Sequence, residues 1–238
     1  MYFYRYLHPL RALTFDLDDT LYDNTVVLTR TEQESIIFLQ KYHPALQGIK
    51  WEEYQNLRNK LLASEPEIYH DVTYLRWRSI ELIMRNAGLS ESKARAGANA
   101  TMDIVTYWRN KINVPSTTHH TLAALSNRWP LAAITNGNVD PTACGLAGYF
   151  SHILRAGRDG RAKPFKDMYH TAARLLQLPL RNILHVGDDL EADINGAIRC
   201  GIQACWINDS GINIQHSTHA RLLPHIEITR LSSLELFL

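Results

Sequence analysis

Four short polar clusters carry the chemistry available to this chain: Asp16-Leu17-Asp18-Asp19-Thr20, Thr135-Asn136-Gly137, Lys163-Pro164, and Gly187-Asp188-Asp189 with Asp193 after it. Carboxylates crowded together repel one another unless a cation joins them. An all-oxygen site with few protein carboxylates suits Mg²⁺, which keeps some of its waters and accepts an incoming phosphate. Asp16 and Asp188 would give carboxylate oxygens, and Asp18 its main-chain carbonyl. A phosphate monoester also needs its charge neutralised during transfer. Thr135, Asn136 and Lys163, with nearby backbone N–H groups, are the candidates for binding it.

The two leading aspartates divide the labour of such a transfer. Asp16, ionised beside the metal, would attack phosphorus and become phosphorylated. Asp18 lies two residues on and must leave the strand line to reach the other side of the phosphate. There it would protonate the departing alkoxide and later take a proton from the hydrolytic water. No single cluster is specific, since each alone reads as an ordinary turn, surface lysine or helix cap. Asp188 or Asp189, for example, could simply cap the helix that follows. The four in this order point to one small-molecule phosphate ester site.

Elements that could position these groups are visible as short apolar runs. Ala12–Leu17, Leu131–Thr135, His152–Ala156, Asn182–Gly187 and Gln203–Ile207 read as strands buried on both faces, as in a parallel sheet. Ile226–Ile228 reads as a last strand with a short helix after it. Helical patterns at Thr118–Trp129, Pro164–Leu176 and Leu190–Cys200 alternate with these strands. The alternation predicts an α/β fold with a doubly wound, Rossmann-like parallel sheet. The polar clusters then fall at or just beyond strand C-termini, where such sheets bind ligands. Between the first strand and Val114 the pattern changes to helix: Asn24–Tyr42, Trp51–Ala63, Val72–Ala87 and Ser90–Lys111, with Asn24 and Ser90 as N-caps. Residues 1–22 and 115–238 are therefore expected to form the α/β domain. Residues 23–114 would be an inserted all-helical domain covering the ends of the sheet.

Composition sets the broad class. Hydrophobic residues are 45% and charged residues 21% of the chain, with a formal charge of +1, as in soluble globular proteins. That balance predicts no nucleic-acid partner and no membrane partner, and no apolar run is long enough to span a bilayer. The start, MYFYRYLHPLRAL, lacks the pattern of a secretory leader. Cys144, Cys200 and Cys205 are too sparse for a disulfide framework and read as buried thiols, which predicts a cytoplasmic protein. A monomer or weak oligomer is the separate expectation for its assembly. A nucleotide-binding oxidoreductase and a P-loop ATPase are disfavoured, because neither glycine-rich phosphate loop is present.

DLDDT, TNG, KP and GDDLEAD resemble the four motifs of the haloacid dehalogenase-like hydrolases. The helical insertion is similar to that family's C1-type cap. The resemblance implies Asp16 as nucleophile, Asp18 as acid/base, Thr135 and Lys163 as phosphate ligands and Asp188 as a metal ligand. It also implies Asp193 as an outer acid orienting Lys163 or a metal-bound water, with Asp189 beside it and no strict role of its own. The family includes dehalogenases, phosphonatases and mutases; Asp18 argues against the first two, because protonating a leaving group is a need of phosphate esters. A phosphomutase would keep every one of these groups, whereas a catalytically silent binding protein should have lost one. PEIYHDVT, ITNGN, GRAKPFKDMY and ILHVGDDLEADINGAIRCGIQACWI further resemble the bacterial YigB-type flavin-pathway phosphatases, which implies flavin mononucleotide and a phosphorylated ribitylaminouracil as substrates. Broader action on sugar phosphates and nucleotides is the alternative. Tyr69, His70, Tyr74, Arg76, Trp77, Arg78 and Trp108 could stack a flat ring but read better as helix-packing residues. Tyr22 and Asn24 are expected to line the entrance.

Overall fold

The computed structural model describes residues 1–218 and 221–238. The chain divides into two compact units, one of Met1–Asp23, Asn113–Gly137 and Cys144–Leu238, the other of Asn24–Ile112 and Asn138–Ala143.

The first unit is built on a sheet of seven strands among the described residues: β1 (Tyr2–Phe3), β2 (Ala12–Phe15), β3 (Leu131–Thr135), β4 (His152–Arg155), β5 (Ile183–Gly187), β6 (Gln203–Ile207) and β7 (Ile226–Ile228). Every residue of β2, β3, β5, β6 and β7 is buried, which explains their nearly continuous apolar composition. Their order is β1-β7-β6-β5-β2-β3-β4, and all pair in parallel except β1, which runs antiparallel to β7. β1 is too short to show a periodic pattern in the sequence. Tyr4 ties this segment down, its N–H donating to the His225 carbonyl and its hydroxyl to Glu227.

From β2 the chain builds outward through β3 and β4, then returns to the other side of β2 as β5. The order therefore reverses around β2, which creates the crevice where open α/β sheets receive ligands. The helices of this unit include α5 (Ser116–Ser126), α6 (Asp167–Leu176) and α7 (Gly196–Arg199). The single helix expected over Leu190–Cys200 is in fact α7 preceded by a wider, π-type turn over Leu190–Asn195. Two successive N–H groups, of Asp193 and Ile194, share the Asp189 carbonyl and so widen the turn. Met168, Tyr169, Ala172, Ile194 and Trp206 belong to the core packed around this segment.

The second unit is helical: α1 (Thr25–Tyr42), α2 (Trp51–Ser64), α3 (Val72–Asn86) and α4 (Glu91–Arg109), close to the predicted bounds. Ser90 caps α4, accepting from the Lys93 N–H at 3.4 Å. Asn24 is not a cap, contrary to expectation. Its backbone is already helical and its side chain accepts a hydrogen bond from the buried Arg109. Arg109 also donates to Asn138 at 3.2 Å, which ties residues 138–143 to this unit. Leu39, Leu46, Tyr54, Ile80, Ile83 and Met84 form its core, with Trp77 packed against them. Trp77 stacks on Tyr74 and donates to Asn99, and Arg30 lies over the Trp108 ring. Those contacts are packing, as the sequence reading favoured. Tyr69 and Tyr74 remain about half exposed. No helix among the described residues is long and apolar enough to cross a membrane.

Ile80 is 2% exposed in the middle of the helical core. Truncating it removes packed methylenes and leaves a cavity, so Ile80→Ala should destabilise the protein by about 2–5 kcal/mol. Urea unfolding followed by circular dichroism would measure this.

Candidate active site

β2 and β5 are adjacent, and the Asp16 N–H donates to the Val186 carbonyl at 2.9 Å. This pairing carries Asp16 and Asp188 off the ends of neighbouring strands. After Asp16 the chain turns sharply: Asp19 takes a left-handed φ of 58°, and the Asp19 N–H donates to the Tyr22 carbonyl. Aspartate is among the few residues that tolerate this conformation. The turn lifts Asp18 out of the strand line, and the Tyr22 hydroxyl donates to Asp18 Oδ1 at 3.0 Å. Thr20 donates to Asp188 Oδ1 at 2.8 Å, joining the first cluster to the last. The Trp206 indole N–H donates to the Asp188 carbonyl at 2.8 Å.

Lys163 arrives from the loop before α6. Its Nζ donates to Asp16 Oδ1 and to Asp193 Oδ1, both at 2.6 Å, and its side chain is 2% exposed. Asn136 clasps the main chain of Lys163 in both directions, donating to its carbonyl and accepting from its N–H. The Asn136 side chain therefore anchors Lys163. Thr135 Oγ1 accepts from the Gly137 N–H at 2.9 Å. Gly137 leaves room for the Asp18 carboxylate, onto which a Cβ there would fall.

Asp193 projects from the π-type turn into a fully buried position. Oδ1 meets Lys163 and, at 3.0 Å, His185 Nε2, while Oδ2 accepts from the Asp189 N–H at 3.1 Å. Gly187 makes this possible, since any Cβ would collide with the Asp193 side chain. The Asp189 side chain caps the helical segment, accepting from the Glu191 and Ala192 N–H groups. It is a helix cap, and it meets Asp193 only through its backbone. Tyr22 and Asn24 were expected at the entrance, but both are buried and committed to Asp18 and Arg109.

Carboxylate oxygens of Asp16, Asp188 and Asp193 all lie within 4.8 Å of one another, with one lysine among them. Burial pushes the Asp16 carboxyl well up; Lys163 pulls the other way, and the charges of Asp193 and Asp188 add to the rise. Burial, followed by the charge of Asp193, pushes Asp188 up to about 6, although the Thr20 hydrogen bond opposes this. For Asp193 burial is outweighed by Lys163 and His185, which hold its carboxyl well below the usual range. Burial disfavours the Lys163 charge too, but the two carboxylates overcome it and keep the ammonium protonated. The cluster is short of positive charge and offers only oxygen donors, a set that fits a hard divalent cation. Asp193 is already committed to three donors, which leaves Asp16 and Asp188 as the carboxylates with capacity for such an ion.

Sequence reasoning overlooked Thr14, Tyr169 and His185, and gave Thr20 no role of its own. Thr14 Oγ1 lies 2.9 Å from His185 Nδ1, and the Tyr169 ring stands edge-on to the imidazole. The signal available for His185 was one ionisable residue inside a strand otherwise too apolar to face water.

Residues 10–201 match the family model described as hydrolase, haloacid dehalogenase-like hydrolase. The chain is 55% identical over 234 residues, 98% of each chain, to the Escherichia coli K12 protein named 5-amino-6-(5-phospho-D-ribitylamino)uracil phosphatase YigB. It is 29% identical to the human N-acylneuraminate-9-phosphatase, covering 87% of this chain and 86% of that one. The crystal structure of a 2-haloacid dehalogenase from Pseudomonas syringae pv. Tomato DC3000 superposes with a TM-score of 0.88 at 31% identity, covering 94% of this chain and 96% of that one. With this match over most of its length, and a carboxylate two residues beyond Asp16, the chain belongs to the haloacid dehalogenase-like hydrolases and is a phosphatase, a phosphoric monoester hydrolase.

Proposed function

We propose that this phosphatase is Mg²⁺-dependent, works through an aspartyl-phosphate on Asp16, and acts on 5-amino-6-(5-phospho-D-ribitylamino)uracil and flavin mononucleotide in the riboflavin pathway. The observation that supports the ribitylaminouracil phosphate is the 55% identity to the Escherichia coli enzyme over 98% of both chains, while flavin mononucleotide rests on the motif resemblance alone. The lower identity to N-acylneuraminate-9-phosphatases supports a wider range of phosphate esters as a second reading. A cytoplasmic location suits three cysteines that are all free thiols.

Asp16, Asp188 and the Asp18 main-chain carbonyl would hold Mg²⁺, which when bound supplies positive charge against the phosphate oxygens. Lys163 and the Thr135 hydroxyl bind the same phosphate, joined by backbone N–H groups of the Asn136 loop. A carboxylate oxygen of Asp16 forms a bond to phosphorus as the bond to the leaving oxygen breaks. Asp18 gives its proton to that leaving alkoxide. It then takes a proton from water, whose oxygen attacks phosphorus, releases inorganic phosphate and restores Asp16. Tyr22 steadies the carboxylate that performs both transfers. In a dehalogenase a halide departs without a proton, so Asp18 suits phosphate esters better than the reaction named for the Pseudomonas syringae protein. Residues 23–114 would act as the cap that selects substrate, and residues 1–22 with 115–238 as the catalytic core.

The direct test is phosphate release across a panel containing flavin mononucleotide, the ribitylaminouracil phosphate, sugar phosphates and nucleotides. The two flavin-pathway compounds should give the highest kcat/KM, and chelation should stop turnover until Mg²⁺ is returned. A flat profile would favour the broad phosphatase, and activity indifferent to chelation would dismiss the metal. Asp16→Asn should lower kcat at least about a thousandfold while the circular dichroism spectrum stays unchanged. For Asp18→Asn, turnover of alkyl phosphates should fall at least about tenfold further than turnover of nitrophenyl phosphate, whose leaving group needs no proton. Equal losses for the two ester classes would remove Asp18 from the acid role.

A further inference from the structure

Behind the lysine lies a fully buried chain of polar groups with no contact to any reacting atom. His185 is 0% exposed, as is Thr14, and each sits in the middle of a strand. The register pairs Thr14 directly with His185 across the β2–β5 ladder. Oγ1 of Thr14 is 2.9 Å from Nδ1, and Oδ1 of Asp193 is 3.0 Å from Nε2. The Tyr169 ring meets the imidazole edge-on at 5.1 Å and 89°, and its hydroxyl is fixed by the Ala192 carbonyl at 2.9 Å. The imidazole is thus fixed in plane and position.

The hydrogens in this chain can be assigned by elimination. Asp193 also holds the Lys163 ammonium at 2.6 Å and is ionised, so its oxygens only accept. Nε2 must therefore carry the hydrogen. Burial favours the neutral ring. A neutral imidazole with hydrogen on Nε2 has a bare Nδ1, which only accepts, so the Thr14 hydroxyl must donate. We propose that His185 is a positioning residue for the phosphatase reaction: Asp193 selects the Nε2–H tautomer, the Thr14 hydroxyl secures the ring through Nδ1, the imidazole orients Asp193, and Asp193 holds Lys163 against Asp16. The chain runs Thr14 O–H to Nδ1, Nε2–H to Asp193, and Asp193 to the Lys163 ammonium. Each group has one orientation that satisfies all its neighbours. Lys163 therefore keeps one place, where it meets both the nucleophile and the incoming phosphate. This rests on the roles given above to Asp16 and Lys163, but the tautomer does not depend on them.

Imidazole nitrogen NMR on the full-length protein, with the His185 signals assigned by their loss in His185→Phe, tests the assignment. Nε2 should be protonated and Nδ1 bare, without change from pH 6 to pH 9. A ring protonated on Nδ1, or on both nitrogens, would overturn the proposal whatever the activity. Kinetics test the consequence, with nitrophenyl phosphate as substrate and rates normalised to folded enzyme. Losing the outer hydrogen-bond partner of a metal ligand costs about 10–100-fold, and by analogy His185→Phe should lower kcat by about that factor, with weaker inhibition by inorganic phosphate. His185→Gln keeps a donor at the Nε2 position and should recover most of the loss. Thr14→Val removes the donor to Nδ1 and should give an intermediate kcat, with Nε2 still protonated toward Asp193. A purely structural role would lower the melting temperature of both His185 variants and leave kcat per folded enzyme unchanged, which would refute the proposal. Should His185→Phe fail to fold, His185→Gln supplies the signal assignment and Thr14→Val the test of kcat per folded enzyme, which a purely structural role would leave unchanged. Failure of the nucleophile assignment would show separately, as turnover surviving in Asp16→Asn.

Discussion

The Lys163 ammonium, buried between Asp16 and Asp193 at 2.6 Å from each, is the interaction on which the site depends. A lone cation at 2% exposure would be strongly disfavoured, and so would either carboxylate. Together they form a buried unit with excess negative charge. Such a unit is costly to break, since removing one partner of a buried pair typically costs about 3–5 kcal/mol. Its remaining negative charge fits a hard divalent cation. The same imbalance that strains the isolated cluster suits it to phosphoryl transfer.

Several features of the fold exist to bring these charges within reach. The reversal of strand order around β2 places the ends of β2 and β5 side by side, and Thr20 and Asp188 bond across them. Gly187 removes the side chain that would otherwise occupy the Asp193 position. The π-type turn over Leu190–Asn195 is capped by Asp189 and presents Asp193 toward Lys163 while Tyr169 bonds the same turn. Asn136 performs a related task from β3, gripping the backbone on either side of the lysine side chain. These devices set position, and the reacting groups themselves are few.

The helical unit obeys a different logic. Its core is apolar and self-contained, and its largest aromatics are engaged in packing with Asn99, Arg30 and one another. Arg109, with Asn24 and Asn138, closes the chain crossings that delimit it. The charge cluster of Asp16, Lys163, Asp188 and Asp193 lies wholly within the α/β unit.

The sequence by itself determined the doubly wound α/β class, the helical insertion between Thr25 and Arg109, and the polar clusters that converge. Those features follow from local pattern: apolar runs long enough for buried strands, helical periodicity, and motifs at strand ends. The partners of each polar group lay beyond it. Asn24 looked like a cap but bonds Arg109, eighty-five residues away, and the Asn136 side chain grips the Lys163 backbone from another strand end. His185 carried no motif, because its meaning lies in Thr14, 171 residues earlier, and in Asp193 on the next turn. Local pattern records what a residue prefers, whereas a buried polar group must be satisfied by whatever the folded chain brings beside it. Only the tertiary structure decides that, because burial removes water as the alternative partner.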